Sequence, residues 1–366
     1  MASKNKKSII EMMRSDLADF EGYSASTSPD VLKGKINPQD IIKLDANENL
    51  YGCSPKVQRA LADFKQYNIY PDARQTEIKK SLADYTGAAA DKIVASSGSS
   101  QLIDLIIRLF VSYGDEVISC VPSFGIYNFS TRLCGGRIRE VHRDGDFNID
   151  IAAVKKAINK RTRLIFVANP NNPTGTLTPK EDIIKLMRIG LPLVVDEAYY
   201  EYSGQTVAPL IEEYQNLMVL RTFSKWAGTA GLRFGYGIFA EDVAERILSA
   251  MMPYSVNVAA QVAVKESLKD LDYLSANVEK ITRERKRLFA KLNGFSWLKP
   301  YPSWANFIWC LVSAVRAVEL NRQLKERGIL VRHFNTTELK DFIRISVGRP
   351  QDSDILEKTL REIGGD

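Results

Sequence analysis

One short stretch holds residue types that could do covalent chemistry: Leu220-Arg221-Thr222-Phe223-Ser224-Lys225-Trp226-Ala227-Gly228, with Gly231-Leu232-Arg233-Phe234-Gly235 close behind. The apolar run Leu217 to Leu220 reads as a buried strand. It delivers two hydroxyls and a lysine into a small-residue turn. A lysine in that position is placed to lose water, and desolvation with nearby cations lowers its pKa and makes the amine a nucleophile toward carbonyls. Thr222 and Ser224 alternate around Phe223 and can offer hydroxyls to a phosphate, and Arg233, eight positions after Lys225, can add a charge-assisted contact to the same group. Read alone, the segment is equally compatible with a solvated surface lysine; the rest of the chain decides.

The elements that must position these residues alternate between apolar strands and helices. Ile93 to Ser96 reads as a strand, followed by the turn Ser97-Gly98-Ser99-Ser100 and an apolar helix from Gln101 to Val111. A Gly/Ser turn at a buried helix N-terminus is an anion site, because free N–H groups and the helix dipole both favour phosphate. Strands follow at 116–121, 137–141 and 164–168, separated by helices. The first of these leads into Pro122-Ser123-Phe124-Gly125-Ile126-Tyr127, and the last into Asn169-Pro170-Asn171-Asn172-Pro173-Thr174-Gly175. Asn-Pro pairs restrict the backbone and hold a side-chain amide rigidly. Leu191 to Val195 is a fully apolar strand that presents Asp196-Glu197-Ala198-Tyr199 at its carboxyl end, and Arg233 to Phe239 reads as a further strand.

This order is the α/β signature of a mostly parallel sheet flanked by helices. In such sheets ligands sit beyond the carboxyl ends of the strands. The Ser/Gly turn, Tyr127, Asn172, Asp196 and Lys225 all fall at such ends. Beyond Pro253 the pattern changes to long helices (257–270 and 272–292) and strands at 306–311, 329–332 and 342–348, which reads as a smaller α/β domain. The expected division is an N-terminal arm with part of the small domain (1–48), a large domain (49–255) and a small C-terminal domain (256–366). The arm, including Ser24 to Pro29, reads as extended; such arms often reach a partner subunit. Ahead of the large domain, Asp45-Ala46-Asn47-Glu48-Asn49 is a polar cluster at a short strand's end, a plausible ligand rim, and Ser54-Pro55 offers an N-cap.

Composition bounds the partners. The chain has 366 residues, 45% hydrophobic and 26% charged, enough for two domains. Its net charge of +6 comes without a basic stripe interleaved with aromatics, so nucleic acid is not the expected partner. No apolar run reaches membrane-spanning length and the N-terminus lacks the apolar segment of a secretory signal. Cys53, Cys120, Cys134 and Cys310 are scattered, which fits reduced thiols, and a cytoplasmic location is the expectation. The two histidines, His142 and His333, offer no metal cluster and no Ser-His-Asp arrangement.

The carbonyl most often met by such a lysine is the aldehyde of pyridoxal 5'-phosphate (PLP). With the motifs assembled, the chain resembles the fold-type I PLP-dependent aminotransferases over nearly its whole length, and among them the histidinol-phosphate aminotransferases. The shared motifs are residues 169–175, Asp196-Glu197-Ala198-Tyr199, Ser224-Lys225 with Gly231-Leu232-Arg233, and Arg344-Ile345-Ser346-Val347-Gly348. The narrower likeness rests on residues 44–49 with Gly52 and Ser54-Pro55, on Tyr70-Pro71-Asp72, and on residues 328–332. Gln101 departs from the acidic residue usual after the phosphate-binding turn, and Leu50 and Cys53 replace common prolines.

The resemblance implies roles. Lys225 would bind the PLP aldehyde through its amine and shuttle the substrate proton. Asp196 would pair with the pyridine nitrogen. Asn172 and Tyr199 would contact the phenolic oxygen, and Tyr127 would stack on the ring. Gly98, Ser99, Ser100, Thr222, Ser224 and Arg233 would hold the phosphate, with Tyr70 reaching the cofactor of the neighbouring subunit in a homodimer with shared active sites. Arg332 and Arg344 would bind the substrate anion and Asn47 would lie on the rim. The implied reaction converts L-histidinol phosphate and 2-oxoglutarate to imidazole acetol phosphate and L-glutamate. The rival readings are an aromatic amino-acid aminotransferase, a threonine-phosphate decarboxylase and a non-catalytic PLP-binding regulator; the last usually carries a DNA-binding module, for which the N-terminal arm is too short and non-periodic.

Overall fold

A computed structural model describes residues 9–18, 20, 22–23, 36–313 and 316–364. Ser24 to Pro29 of the arm lie outside the described residues. The strands are β1 (Ile42–Leu44), β2 (Ile93–Ser96), β3 (Glu116–Val121), β4 (Arg137–His142), β5 (Thr162–Ala168), β6 (Leu193–Asp196), β7 (Leu217–Thr222), β8 (Gly235–Ile238), β9 (Leu298–Tyr301), β10 (Phe307–Val312), β11 (Ile329–His333) and β12 (Phe342–Ser346).

Seven strands form the large sheet in the order β2-β8-β7-β6-β5-β3-β4. Five neighbouring strands run parallel through β4, β3, β5, β6 and β7, while β8 is antiparallel to both β7 and β2. β6 and β7 are buried at every position, as sheets covered by helices on both faces require. The helix Ser99–Phe110 lays Leu102, Ile103, Ile106 and Ile107 against one face, all fully buried. Each such side chain contributes about 1.5–3 kcal/mol relative to exposure. Ile183, Leu186 and Met187 cover the opposite face from the helix Lys180–Met187.

The small sheet has the order β1-β11-β12-β10-β9. Its N-terminal strand β1 pairs parallel with β11, matching Leu44 to Val331, so Ile42–Leu44 is built into this sheet. A separate core of Leu288, Leu292, Trp297, Ile308, Leu320 and Leu356 supports it. The large core continues past residue 255: Ala260, Val264, Leu274 and Ile281 join it from the helices Val258–Leu268 and Leu271–Leu292. β9 was not evident in the sequence because Leu298-Lys299-Pro300-Tyr301 contains a proline, which edge strands tolerate.

The described part of the arm folds back on its own chain. Phe20 packs on Phe129 with ring centroids 5.3 Å apart, Tyr23 meets Phe124 edge-on at 6.1 Å, and Arg14 donates to the carbonyl of Leu133 at 2.9 Å. Ser54 caps the helix Pro55–Asp63 as its sequence suggests, accepting from the Lys56 N–H.

Candidate active site

A cavity of about 1050 Å³ opens at the carboxyl ends of β3, β5, β6 and β7 and is closed from the other side by β11, β12 and the Asp45-Ala46-Asn47 segment. It is slightly larger than the usual ligand pocket, which spans roughly 300–1,000 Å³. Its polar groups come from both sheets, so neither alone makes the site.

Lys225 follows β7 and its Nζ donates to the carbonyl of Ala46 at 2.8 Å, across 179 residues of chain. Burial, then the positive charge of Arg344, holds its pKa down to about 8. An amine so placed keeps a substantial neutral fraction near neutral pH, the form that attacks carbonyls and takes protons. Asp196 ends β6 and is fully enclosed; burial pushes its carboxyl up to about 6 against two hydrogen bonds that favour the ionised form. Those bonds come from Tyr127, whose hydroxyl donates to Oδ2 at 2.9 Å, and from the Ala198 N–H at 3.1 Å.

Tyr127 therefore departs from the expected role. It is completely buried, stacks on Phe166 at 4.6 Å and forms no part of the cavity wall. The aromatic residue of this turn that lines the cavity is Phe124, three positions earlier, packed edge-on against Tyr127 at 5.7 Å. The helix Ile126–Leu133 starts between them, and its first turn points Tyr127 inward beneath Asp196.

The anion end takes shape around the helix Ser99–Phe110. Ser99, Ser100, Thr222, Ser224 and Arg233 all line the cavity. Arg233 Nη1 lies 3.3 Å from Ser224 Oγ, and Thr222 Oγ1 sits 3.0 Å from the same oxygen while donating to the Phe234 carbonyl at 2.9 Å. Gly98 precedes the helix at φ +80°, and a Cβ there would come 2.5 Å from Arg233 Nη2. Gly235 allows β8 to approach so closely that a Cβ would lie 2.2 Å from the Ser99 N. Gln101, standing where an acidic residue is usual, accepts from the Ser97 N–H at 2.7 Å through its side-chain oxygen and so still braces the turn.

On the opposite wall, Arg344 donates to Asn172 Oδ1 and to the carbonyl of Asp45, both at 2.6 Å. Since Arg344 holds the oxygen of the Asn172 amide, the Nδ2 end is the one presented to an acceptor in the cavity. Both Asn-Pro bonds of that loop, 169–170 and 172–173, are cis. Arg332 and Arg344 stand opposite each other in the β11–β12 register, and both line the cavity. Tyr199, pushed up to about 12 by burial, accepts from Asn47 Nδ2 at 2.8 Å. Asn47 itself is buried rather than on an open rim, with φ +56°. Tyr70 lies away from this cavity: it is 78% exposed and stacks on Tyr254 at 4.6 Å. His333 lines the mouth, 2.9 Å from the Lys340 carbonyl through Nε2.

Sequence reasoning also missed Tyr23 and Phe20 of the arm, which line the cavity from above. Their segment carries no periodicity that would have marked it. Among the described residues no group of His, Cys, Asp and Glu could hold a metal ion, and no helix is long and apolar enough to cross a membrane.

The donor set fits PLP. A buried carboxylate suits a pyridinium nitrogen, a desolvated amine suits an aldehyde, two donor-capable groups (Asn172 and Tyr199) suit a phenolic oxygen, and a helix N-terminus with hydroxyls and Arg233 suits a phosphate.

Comparison with known proteins agrees. The profile of the family "Aminotransferase class I and II" matches residues 39–360. A histidinol-phosphate aminotransferase of Dehalococcoides mccartyi is 51% identical over 352 residues, covering 96% of this chain and 98% of that one. One from Roseiflexus castenholzii is 42% identical, covering 97% and 99%. The crystal structure of histidinol-phosphate aminotransferase from Sinorhizobium meliloti in complex with pyridoxal-5'-phosphate superposes with a TM-score of 0.85 at 27% identity, covering 96% of this chain and 97% of that one.

Proposed function

The chain belongs to the aminotransferase class I and II family of PLP-dependent transaminases, and from that premise we propose that it moves the amino group of L-histidinol phosphate to 2-oxoglutarate, a step of histidine biosynthesis. The observation that carries the substrate assignment is the pair Arg332 and Arg344, side by side across β11 and β12 in the cavity wall. Both half-reactions bring an anion to one site: a phosphate in the first, a second carboxylate in the other. A planar guanidinium binds either with paired hydrogen bonds. The high-identity relatives named for this reaction support the same reading.

The residues divide the work as follows. Arg233, Ser99, Ser100, Thr222 and Ser224 would anchor the phosphate of PLP, with Gly98 leaving room for Arg233. Asp196, held by Tyr127 and Ala198, would pair with the pyridine nitrogen, and Phe124 would offer an aromatic face to the ring. Bound PLP supplies the electron sink that lets the substrate α-carbon release its proton. Lys225 Nζ takes that proton and returns it, which a pKa near 8 permits in both directions. Arg344 clamps the anion while its bonds to Asn172 and the Asp45 carbonyl hold the guanidinium plane. The proposed working division takes residues 49–255, with the helix Val258–Leu268 packed on their core, as the cofactor-holding part, and the small sheet with its N-terminal strand as the part that faces the substrate.

The active unit is read as a cytoplasmic homodimer. Tyr70 is exposed and outside its own cavity, which suits a residue that serves the neighbouring subunit. Mixing Lys225→Ala with Tyr70→Ala chains and allowing subunit exchange should recover activity that neither variant has alone; no recovery refutes the shared site. The substrate reading is tested by titrating the PLP-loaded protein with L-histidinol phosphate and, separately, L-phenylalanine while following the visible band. Loss of the band at far lower histidinol phosphate is expected. A preference for phenylalanine assigns the chain to aromatic amino acids, and release of carbon dioxide from added L-threonine phosphate without a keto acid makes it a decarboxylase.

A further inference from the structure

Ser346 is the last residue of β12, 2% exposed, and it lies behind Asn47 rather than in the cavity wall. Its hydroxyl accepts from the Asn47 backbone N–H at 2.9 Å and donates to Asn47 Oδ1 at 2.9 Å. The Asn47 carbonyl accepts from Asn306 Nδ2, also at 2.9 Å. Three bonds from the small domain thus hold Asn47 in its left-handed conformation, φ +56°, and fix its side chain. The other end of that amide, Nδ2, donates to the Tyr199 hydroxyl at 2.8 Å.

Counting protons gives this chain of bonds a direction. A serine hydroxyl has one proton and two acceptor sites, an amide has a donor end and an acceptor end, and a tyrosine hydroxyl has one proton to give. Ser346 spends its proton on Asn47 Oδ1, so Nδ2 is the end that faces Tyr199. Tyr199 then receives a hydrogen bond from Asn47 and keeps its own proton for an acceptor in the cavity. With the amide reversed, Ser346 would receive two donors and Tyr199 would have to spend its proton on Asn47. We propose that Ser346 is a positioning residue that sets, through Asn47, the direction of the Tyr199 hydroxyl, so that Tyr199 donates into the cavity beside Asn172.

This rests on the reading that the cavity takes PLP, whose phenolic oxygen is the acceptor that Tyr199 would meet. A donor to that oxygen favours the form in which the oxygen carries the charge alone, without a shared proton. Removing the donor raises the pH at which the bound cofactor changes its visible absorption.

The experiment compares Ser346→Ala, Ser346→Thr, Tyr199→Phe and the double variant Ser346→Ala/Tyr199→Phe, each loaded with PLP. The readout is the pH midpoint of the visible band, an equilibrium property separate from turnover. Ser346→Ala is expected to raise the midpoint by about one unit, the worth of one buried hydrogen bond, in the same direction as Tyr199→Phe. The double variant is expected to match Tyr199→Phe, because the two substitutions break one chain of bonds. Ser346→Thr, which keeps the hydroxyl, is expected to titrate like the unaltered protein. Should Ser346→Ala fail to fold, Ser346→Cys, slightly larger and with a weaker donor, is expected to raise the midpoint in the same direction by a smaller amount. A wild-type midpoint in Ser346→Ala, or a shift that adds in full to that of Tyr199→Phe, overturns the proposal. If Tyr199→Phe moves the midpoint and Ser346→Ala does not, this inference alone falls. If Tyr199→Phe leaves it unmoved, the assignment of Tyr199 to the cofactor falls as well.

Discussion

Replacing Tyr127 with phenylalanine takes one oxygen from a completely buried position and leaves the ring and its stack on Phe166 in place. With that oxygen goes the 2.9 Å hydrogen bond to Asp196 Oδ2, which leaves the carboxyl with the Ala198 N–H. A hydrogen bond to an ionised group contributes about 1.5–3 kcal/mol, which corresponds to roughly one to two pKa units. Burial already pushes Asp196 up to about 6, against 3.8 for the ordinary group. In the variant the midpoint is therefore expected at about 7–8. The sign follows from linkage: a carboxyl whose folded pKa is raised contributes stability that is full below its unfolded value and is lost as pH rises through the folded value. In the unaltered cofactor-free chain that loss sets in above pH 3.8 and is complete once pH passes about 6. In the variant it continues to higher pH and ends deeper, because the ionised acid has one donor fewer. Urea denaturation of both cofactor-free chains measures this directly. The deficit of Tyr127→Phe should be larger at about pH 9 than at about pH 5 by about 1.5–3 kcal/mol. If Tyr127 instead stacked on the cofactor ring, phenylalanine would replace it almost without effect. Equal deficits at the two pH values would refute a hydrogen-bonding role for the Tyr127 hydroxyl.

Two further outcomes follow from the geometry. Treating the cofactor-free chain with a small aldehyde and borohydride should modify Lys225 at a rate that rises through about pH 8, because only the neutral amine reacts and burial holds its pKa there; mass-spectrometric mapping reads it, and a midpoint near that of ordinary lysines, about 10.4, would show the amine to be solvated. Gly98→Ala puts a methyl 2.5 Å from Arg233 Nη2 at a φ of +80°. It is expected to weaken PLP binding about tenfold or more, because the methyl displaces the guanidinium from the phosphate end and φ +80° with ψ 150° is a conformation essentially confined to glycine; equilibrium dialysis of PLP that shows unchanged affinity would remove Arg233 from the phosphate site.

Much of the site was legible before folding was considered. Lys225, Asp196, Asn172 and the Ser99 turn each follow an apolar run, and a parallel sheet gathers the ends of such runs along one edge. A local pattern therefore predicted a long-range convergence. Caps such as Ser54 were legible for the same reason, since one residue and its next few N–H groups decide them.

What the sequence left open was every choice that depends on which way a residue faces or what lies opposite it. Phe124 and Tyr127 are both aromatics in one turn; only the start of the helix at Ile126 put one in the cavity and the other under Asp196. The antiparallel setting of β8 was hidden because a buried strand reads the same in either direction. The bonds from Lys225 to Ala46, from Arg344 to Asn172, and from Ser346 through Asn47 to Tyr199 join positions 152 to 299 residues apart. Side-chain type and spacing along the chain determine which groups can react. The facing of the two sheets determines which of them meet, because contact across such separations is set by packed cores and strand register rather than by local sequence.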